Sequence, residues 1–393
     1  NSAAPGSRIV SRREKISNPS AAADRIASTT TGSSSKEQIE LVRGEAKALK
    51  NMSDPIARAE EFLEFIKNLS PDQYLDAVDA YREGGIENEQ FGEYRMLLSA
   101  WAQVDPLQAL SYAKEKTGTN FARQTILSAW AKNDTEGAVA WARDNFDSDA
   151  KGADANPWIV GVIEGISSID LVRATELLEE LPFSRGRGQA LDSVFAEVTS
   201  GGPEKAKQWI ASLGDAKLKS GAASRLAGQL ARNDPRAAAE WASSMGSEIL
   251  KSSAGEIIQE WADDDLTAAR TWVESQSEEI VASAGPALVR EIIQNEDILA
   301  ASDWLADYEG NPAFDESVRS LVWNSMGEEP AFAADWIMRL SSEDDQRNTF
   351  HRMIGKWMSK DEAGVVDYVN NNPVPEGVKQ RVEMTLKRSQ NQK

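Results

Sequence analysis

The chain contains no cysteine and a single histidine, His351, among 393 residues. The first absence removes disulfides, zinc–thiolate sites, iron–sulfur ligation and thiol nucleophiles. The second leaves no polyhistidine metal site and no set of independent imidazole bases. No apolar run approaches the 18 or so residues that a membrane span requires. Neither a Walker loop nor a G-x-G-x-x-G turn occurs, and no G-x-S-x-G elbow accompanies the lone histidine. No cofactor, metal ion or catalytic residue is therefore expected.

Positive charge is scarce where the chain is longest. Overall 63 acids face 43 bases, a net charge of −20, but residues 1–50 and 379–393 each carry +4. The body between them, 51–378, holds −28. Such a body repels nucleic-acid phosphates and anionic membranes. Its basic ends suit an acidic surface, on this molecule or the next.

Tryptophan, by contrast, is abundant: twelve residues, regularly placed. W-A-Q-V-D-P-L-Q-A-L-S-Y from Trp101, W-A-K-N-D-T-E-G-A-V-A-W from Trp130 and W-A-D-D-D-L-T-A-A-R-T-W from Trp261 share one frame. A large apolar residue is followed four positions later by an acid or turn residue, then by alanine after four more and an aromatic after three. The turn position falls at Asp105, Asp134, Asp170, Gly202, Asp234, Asp265, Asp297, Glu329 and Asp361, with separations of 29, 36, 32, 32, 31, 32, 32 and 32. The alanine position runs Ala109, Ala138, Ala174, Ala206, Ala238, Ala269, Ala301, Ala333 and then Val365. A repeat of this kind predicts helical hairpins, each acid capping a second helix and each alanine admitting its neighbour closely. Both aromatic columns are expected in the core. Gly214 and Gly246 are expected to close two of the second helices.

The expected fold is all-α, an α-solenoid of nine to ten hairpins with a period near 32 residues. Residues 1–36, rich in Ser, Thr and Gly, read as a disordered or partner-bound arm and linker. Residues 37–96 read as an N-terminal helical cap with a degenerate repeat, 97–370 as the regular array, and 371–393 as a capping helix opened by Pro375 with a basic tail.

The hairpin period resembles that of tetratricopeptide and HEAT-like repeat families, although the tetratricopeptide consensus is not reproduced. The tandem W-A-x-x-D-P-x-x-A-x-x-W arrangement over 97–370 is similar to repeat proteins of planctomycetes and verrucomicrobia. The resemblance implies a binding or assembly role and supplies no catalytic residues.

Candidate partner contacts are Arg8, Arg12 and Arg13 in the basic arm, together with Trp158 and Trp323, the two indoles outside the columns. Arg185 and Arg187 join them, from what reads as a short loop, Ser184–Gly188. The segment Asp144–Pro157, with Asp147, Asp149 and Asp154, reads as a longer loop of the kind that clusters on binding faces. Asp263-Asp264-Asp265 reads as a capped turn rather than a calcium loop, and His351 as a part-exposed helix residue. The expected function is a non-catalytic scaffold for protein–protein interaction or self-assembly. A polysaccharide-active enzyme or a glycan- or peptide-binding module is the alternative, and would need exposed aromatics such as Trp158 beside carboxylates. The chain begins at Asn1 with polar residues, as a processed exported protein would, so a periplasmic or cell-surface setting is expected.

Overall fold

The computed structural model describes residues 35–117, 120–146 and 156–390. They form helices joined by short turns, with no strand among the described residues. Arg8, Arg12, Arg13, Asp147, Asp149 and Asp154 lie outside them. No described helix is long and apolar enough to cross a membrane.

Two compact units are distinguished, one running through Ile166 and the other from Ser167 onward, so the regular array expected over 97–370 is divided between them. The first holds α1 (Ser35–Lys50), α2 (Pro55–Asn68), α3 (Tyr74–Arg82), α4 (Phe91–Val104), α5 (Pro106–Lys116), α6 (Asn120–Ala131), α7 (Thr135–Asp144) and α8 (Pro157–Ile166). The second begins with α9 (Leu171–Glu180), α10 (Arg185–Ser200), α11 (Pro203–Ser212), α12 (Ala216–Ala231) and α13 (Pro235–Ser244). It continues through α14 (Ser247–Glu274), α15 (Glu278–Asn295), α16 (Ile298–Ala306), α17 (Asp315–Ser325) and α18 (Pro330–Ile337). It closes with α19 (Glu343–Lys360), α20 (Glu362–Asn371) and α21 (Glu376–Gln390). α14 is two helices merged across Asp265, whose φ of −152° and ψ of 84° break it.

The sequence frame is a hydrogen-bond frame. The Asp105 N–H donates to the Trp101 carbonyl at 2.8 Å and ends the first helix, while the Asp105 carbonyl accepts from Ala109 N–H at 3.1 Å and begins the second. Its carboxylate takes the Gln108 N–H at 2.9 Å, an otherwise orphaned donor. The same side-chain cap recurs at Asp134, Asp170, Asp234, Asp265, Asp297 and Asp361. Gly202 caps with φ 92°, a conformation that an Asp side chain would strain, and Glu329 makes no side-chain cap bond. Proline stands in the first turn after Asp105, Gly202, Asp234 and Glu329, where its missing donor costs nothing. Gly246, at φ 114°, follows α13 as expected, whereas Gly214 has no left-handed backbone and instead donates its N–H to Glu179 at 2.6 Å.

All eight alanines of the alanine column, and Val365, are 0% exposed. Beside them three members of the second aromatic column reach back one repeat, whereas the buried Trp304 Nε1 finds no partner. The Tyr112 hydroxyl donates to Asp79 at 3.2 Å, the Trp209 indole to Thr175 at 3.0 Å and the Tyr368 hydroxyl to Asp335 at 2.8 Å, across 33 or 34 residues each time. These bonds tie successive second helices together and leave the buried polar ends satisfied. At the far end Val378 and Val382 of α21 are buried against the last hairpin, as a cap requires. His351 of α19 is partly buried and meets the Gly377 carbonyl at 3.4 Å.

In the first unit α6 and α8 approach backbone to backbone. A Cβ on Gly161 would sit 2.7 Å from the Gln124 carbonyl oxygen, and one on Gly165 would overlap that of Ser128. Gly165→Ala should lower stability by about 1–3 kcal/mol, the cost of overpacking. Gly188→Ala, in open space on α10, should instead be neutral or gain about 0.5–1 kcal/mol. Urea unfolding of both variants checks the contrast.

Candidate binding groove

The aromatic columns are not uniformly core. Trp101, Trp209, Trp261, Trp304, Trp336 and Trp357 are buried as expected, but Trp130, Trp141, Trp241 and Trp272 are only part-covered. The cause at Trp272 is visible in the residues around it. On α13 the facing wall is Ala239, Ser243 and Ser244, and on the second arm of α14 it is Thr267, Ala268, Thr271 and Ser275. Three positions after the cap, where Ala268 stands, α9, α11 and α18 carry Arg173, Lys205 and Phe332. Six after it, where Thr271 stands, they carry Glu176, Gln208 and Asp335. Short side chains from both helices line the opening.

The opening measures about 920 Å³. Its floor is Leu250, Trp261 and Trp272, the two indoles 5.9 Å apart at 38°. Arg236, exposed at the rim, holds its guanidinium 5.8 Å from the centre of the Trp261 ring. Glu240, Asp265 and Gln276 complete the lining. An apolar floor with hydroxyls and a few charges around it is the composition of a small-molecule or side-chain pocket.

Gln276 also lines a second cavity, of about 400 Å³, shared with Glu274, Glu278, Asp307, Tyr308, Glu309 and Asn311. Tyr308 lies flat on Phe314, with ring centres 4.0 Å apart. Burial above all, then the Glu274, Asp307 and Glu278 carboxylates, push its hydroxyl pKa upward. Arg270 pairs with Glu274 at 2.9 Å and Arg339 with Glu309 at 3.1 Å, while Glu278 accepts from the Asn311 amide at 2.7 Å. No cation among the described residues is paired with Glu278 or Asp307.

In the first unit the corresponding space between α3 and α5 is about 380 Å³ and is lined by Asp79, Gln108, Ser111 and Tyr112 among others. There a polar network closes it: Arg43 donates to Asp79 at 3.0 Å and Arg82 to the Tyr112 hydroxyl at 3.2 Å.

None of the residues singled out from the sequence lines the large groove. Trp158 is 6% exposed, a correction to its expected role. Pro157 opens a helix instead of ending a loop, so the indole turns inward and the Arg123 guanidinium covers it at 4.6 Å. Trp323, on α17, is half-buried. Ser184–Gly188 is not a loop but the first turn of α10, capped by the Ser184 hydroxyl, which accepts from Arg187 N–H at 3.1 Å. Arg185 is exposed there, whereas Arg187 is 5% exposed and forms an ion pair with Asp215 at 3.0 Å, off the hydrogen-bonding axis. Chiefly the Leu218 N–H, opposed by burial and supported by Arg187, holds the Asp215 carboxyl below its ordinary range. Arg187 is thus already committed within the chain. Asp265 caps its helix as expected, and no group of three metal-ligating side chains occurs among the described residues.

No family model, curated protein or solved structure matches this chain.

Arg187→Gln should therefore act on stability, costing about 1–2 kcal/mol through the lost stem packing and ion pair. Arg185→Gln should stay within about 0.5 kcal/mol of the parent. Thermal unfolding of the two variants separates the roles.

Proposed function

We propose that this chain is a non-catalytic helical-repeat scaffold that associates with protein, including further copies of itself, through its basic N-terminal segment and the acidic surface of its hairpins. The observation that carries this reading is the indole-floored groove between α13 and α14, the largest of the openings described above. Repeat proteins bind along surfaces of this kind, where neighbouring hairpins present a recurring groove. The charge distribution adds support, since +4 on residues 1–50 faces −28 on residues 51–378. The glycan-active alternative loses one of its two aromatics, since Trp158 lies beneath Arg123, and keeps the half-buried Trp323. An exported setting accompanies the proposal as context: a cysteine-free chain has no thiol to lose in an oxidising compartment.

Light scattering on a sizing column tests association. The full chain at low salt should run larger than a monomer, and both high salt and the triple variant Arg8→Glu/Arg12→Glu/Arg13→Glu should return it to monomer, because contacts between exposed charges are screened. A monomer under every condition would sink the self-assembly reading.

A further inference from the structure

The groove and the acidic cavity are neighbours, sharing Gln276. One offers an apolar floor of Trp261 and Trp272. The other offers Glu278 and Asp307, two carboxylates whose charge no described cation balances. A ligand fitting both carries a bulky aliphatic side chain and, a short distance along, two cations. In an extended chain two to three residues span roughly 7–10 Å, and an arginine side chain adds its own length. The stretch Arg8-Ile9-Val10-Ser11-Arg12-Arg13-Glu14-Lys15 has this order of groups. Two aliphatic residues precede two adjacent arginines, with one serine between.

We propose that residues 8–15 of a second copy dock in this composite site, with Ile9 or Val10 over the Trp261–Trp272 floor and Arg12 and Arg13 against Glu278 and Asp307. The inference rests on the self-association reading above and says where the basic segment goes. Charge complementarity steers the encounter, and the buried aliphatic anchor holds it. Every copy carries both the segment and the groove, so the exchange either closes reciprocally as a two-fold dimer or propagates head to tail into rings or filaments.

The test uses the full chain with Ile9 replaced by p-benzoyl-phenylalanine, prepared in isotopically light and heavy forms, mixed and irradiated. Light–heavy cross-links should map within Ala237–Arg290, the tryptic peptides that line the groove, at Trp261, Trp272 and the residues beside them. Glu278→Lys/Asp307→Lys should cut their yield by about tenfold or more, and joining it to Arg12→Glu/Arg13→Glu should restore much of it, as expected of a charge pair swapped across a contact. Thr271→Trp, which fills the groove at an exposed position, should also abolish them while leaving the far-UV circular dichroism unchanged. Cross-links confined to one copy, cross-links to another segment, or none at all would overturn the assignment. A chain that assembles in light scattering but cross-links elsewhere defeats this inference alone, whereas a chain that never assembles defeats the scaffold reading with it.

Discussion

The fold depends on one residue per hairpin serving two helices at once. Asp105, Asp134, Asp234 and Asp361 each donate the N–H to the carbonyl four residues back and accept at the carbonyl from the N–H four residues ahead. In between, φ near −150° and ψ near 83° turn the chain, and the carboxylate catches the donor three residues on. The Trp–Asp–Ala spacing is therefore the helical hydrogen-bond period measured in both directions from a cap. Each such cap contributes about 1 kcal/mol. Its larger effect is to aim the second helix so that the alanine four residues on meets its neighbour with no side chain to hold the two apart.

Once that backbone frame is set, the surface between second helices is decided by the residues three, six and ten positions after the cap. Long side chains there close the space, and hydrogen bonds back to the preceding repeat seal it, as Tyr112 and Arg82 do beside α5. Alanine, threonine and serine cannot. At α13 and α14 most of the residues facing this space are short, and the part-covered Trp272 forms its floor together with the buried Trp261. The groove is thus made by subtraction: the frame is common to the repeats and only the filling is missing.

That difference explains what was legible in the sequence. The hairpins were readable because their cause is local, an N-cap with hydrogen-bonded partners within four residues, repeated along the chain. The groove was not, because whether Trp272 is covered depends on how far residues on a neighbouring helix extend. No single position signals it, since Gly137, Ala237, Ala300 and Gly364 stand in other repeats where Ala268 stands here. Trp158 and Arg187 were misplaced for one shared reason. Pro157 and Ser184 were taken as loop residues, yet proline in a first turn and serine at an N-cap are also helix openers. A side chain one turn into a helix faces the core as readily as the solvent.

Charge alone would make this a poor assembly protein, since a body of −28 repels its own copies and attracts basic molecules indiscriminately. What distinguishes the α13–α14 region is an acidic surplus beside an uncovered indole floor. A basic segment without an apolar residue gains only the screened, exposed part of such a site. An apolar segment without cations meets the repulsion of nothing but gains no steering toward it. Only a ligand that combines the two in the right order collects both contributions, and desolvation of the anchor then lowers the local dielectric around the neighbouring charges and strengthens their pairing. On the docking proposed above, selectivity lies in the junction between groove and cavity, at Gln276, which lines both.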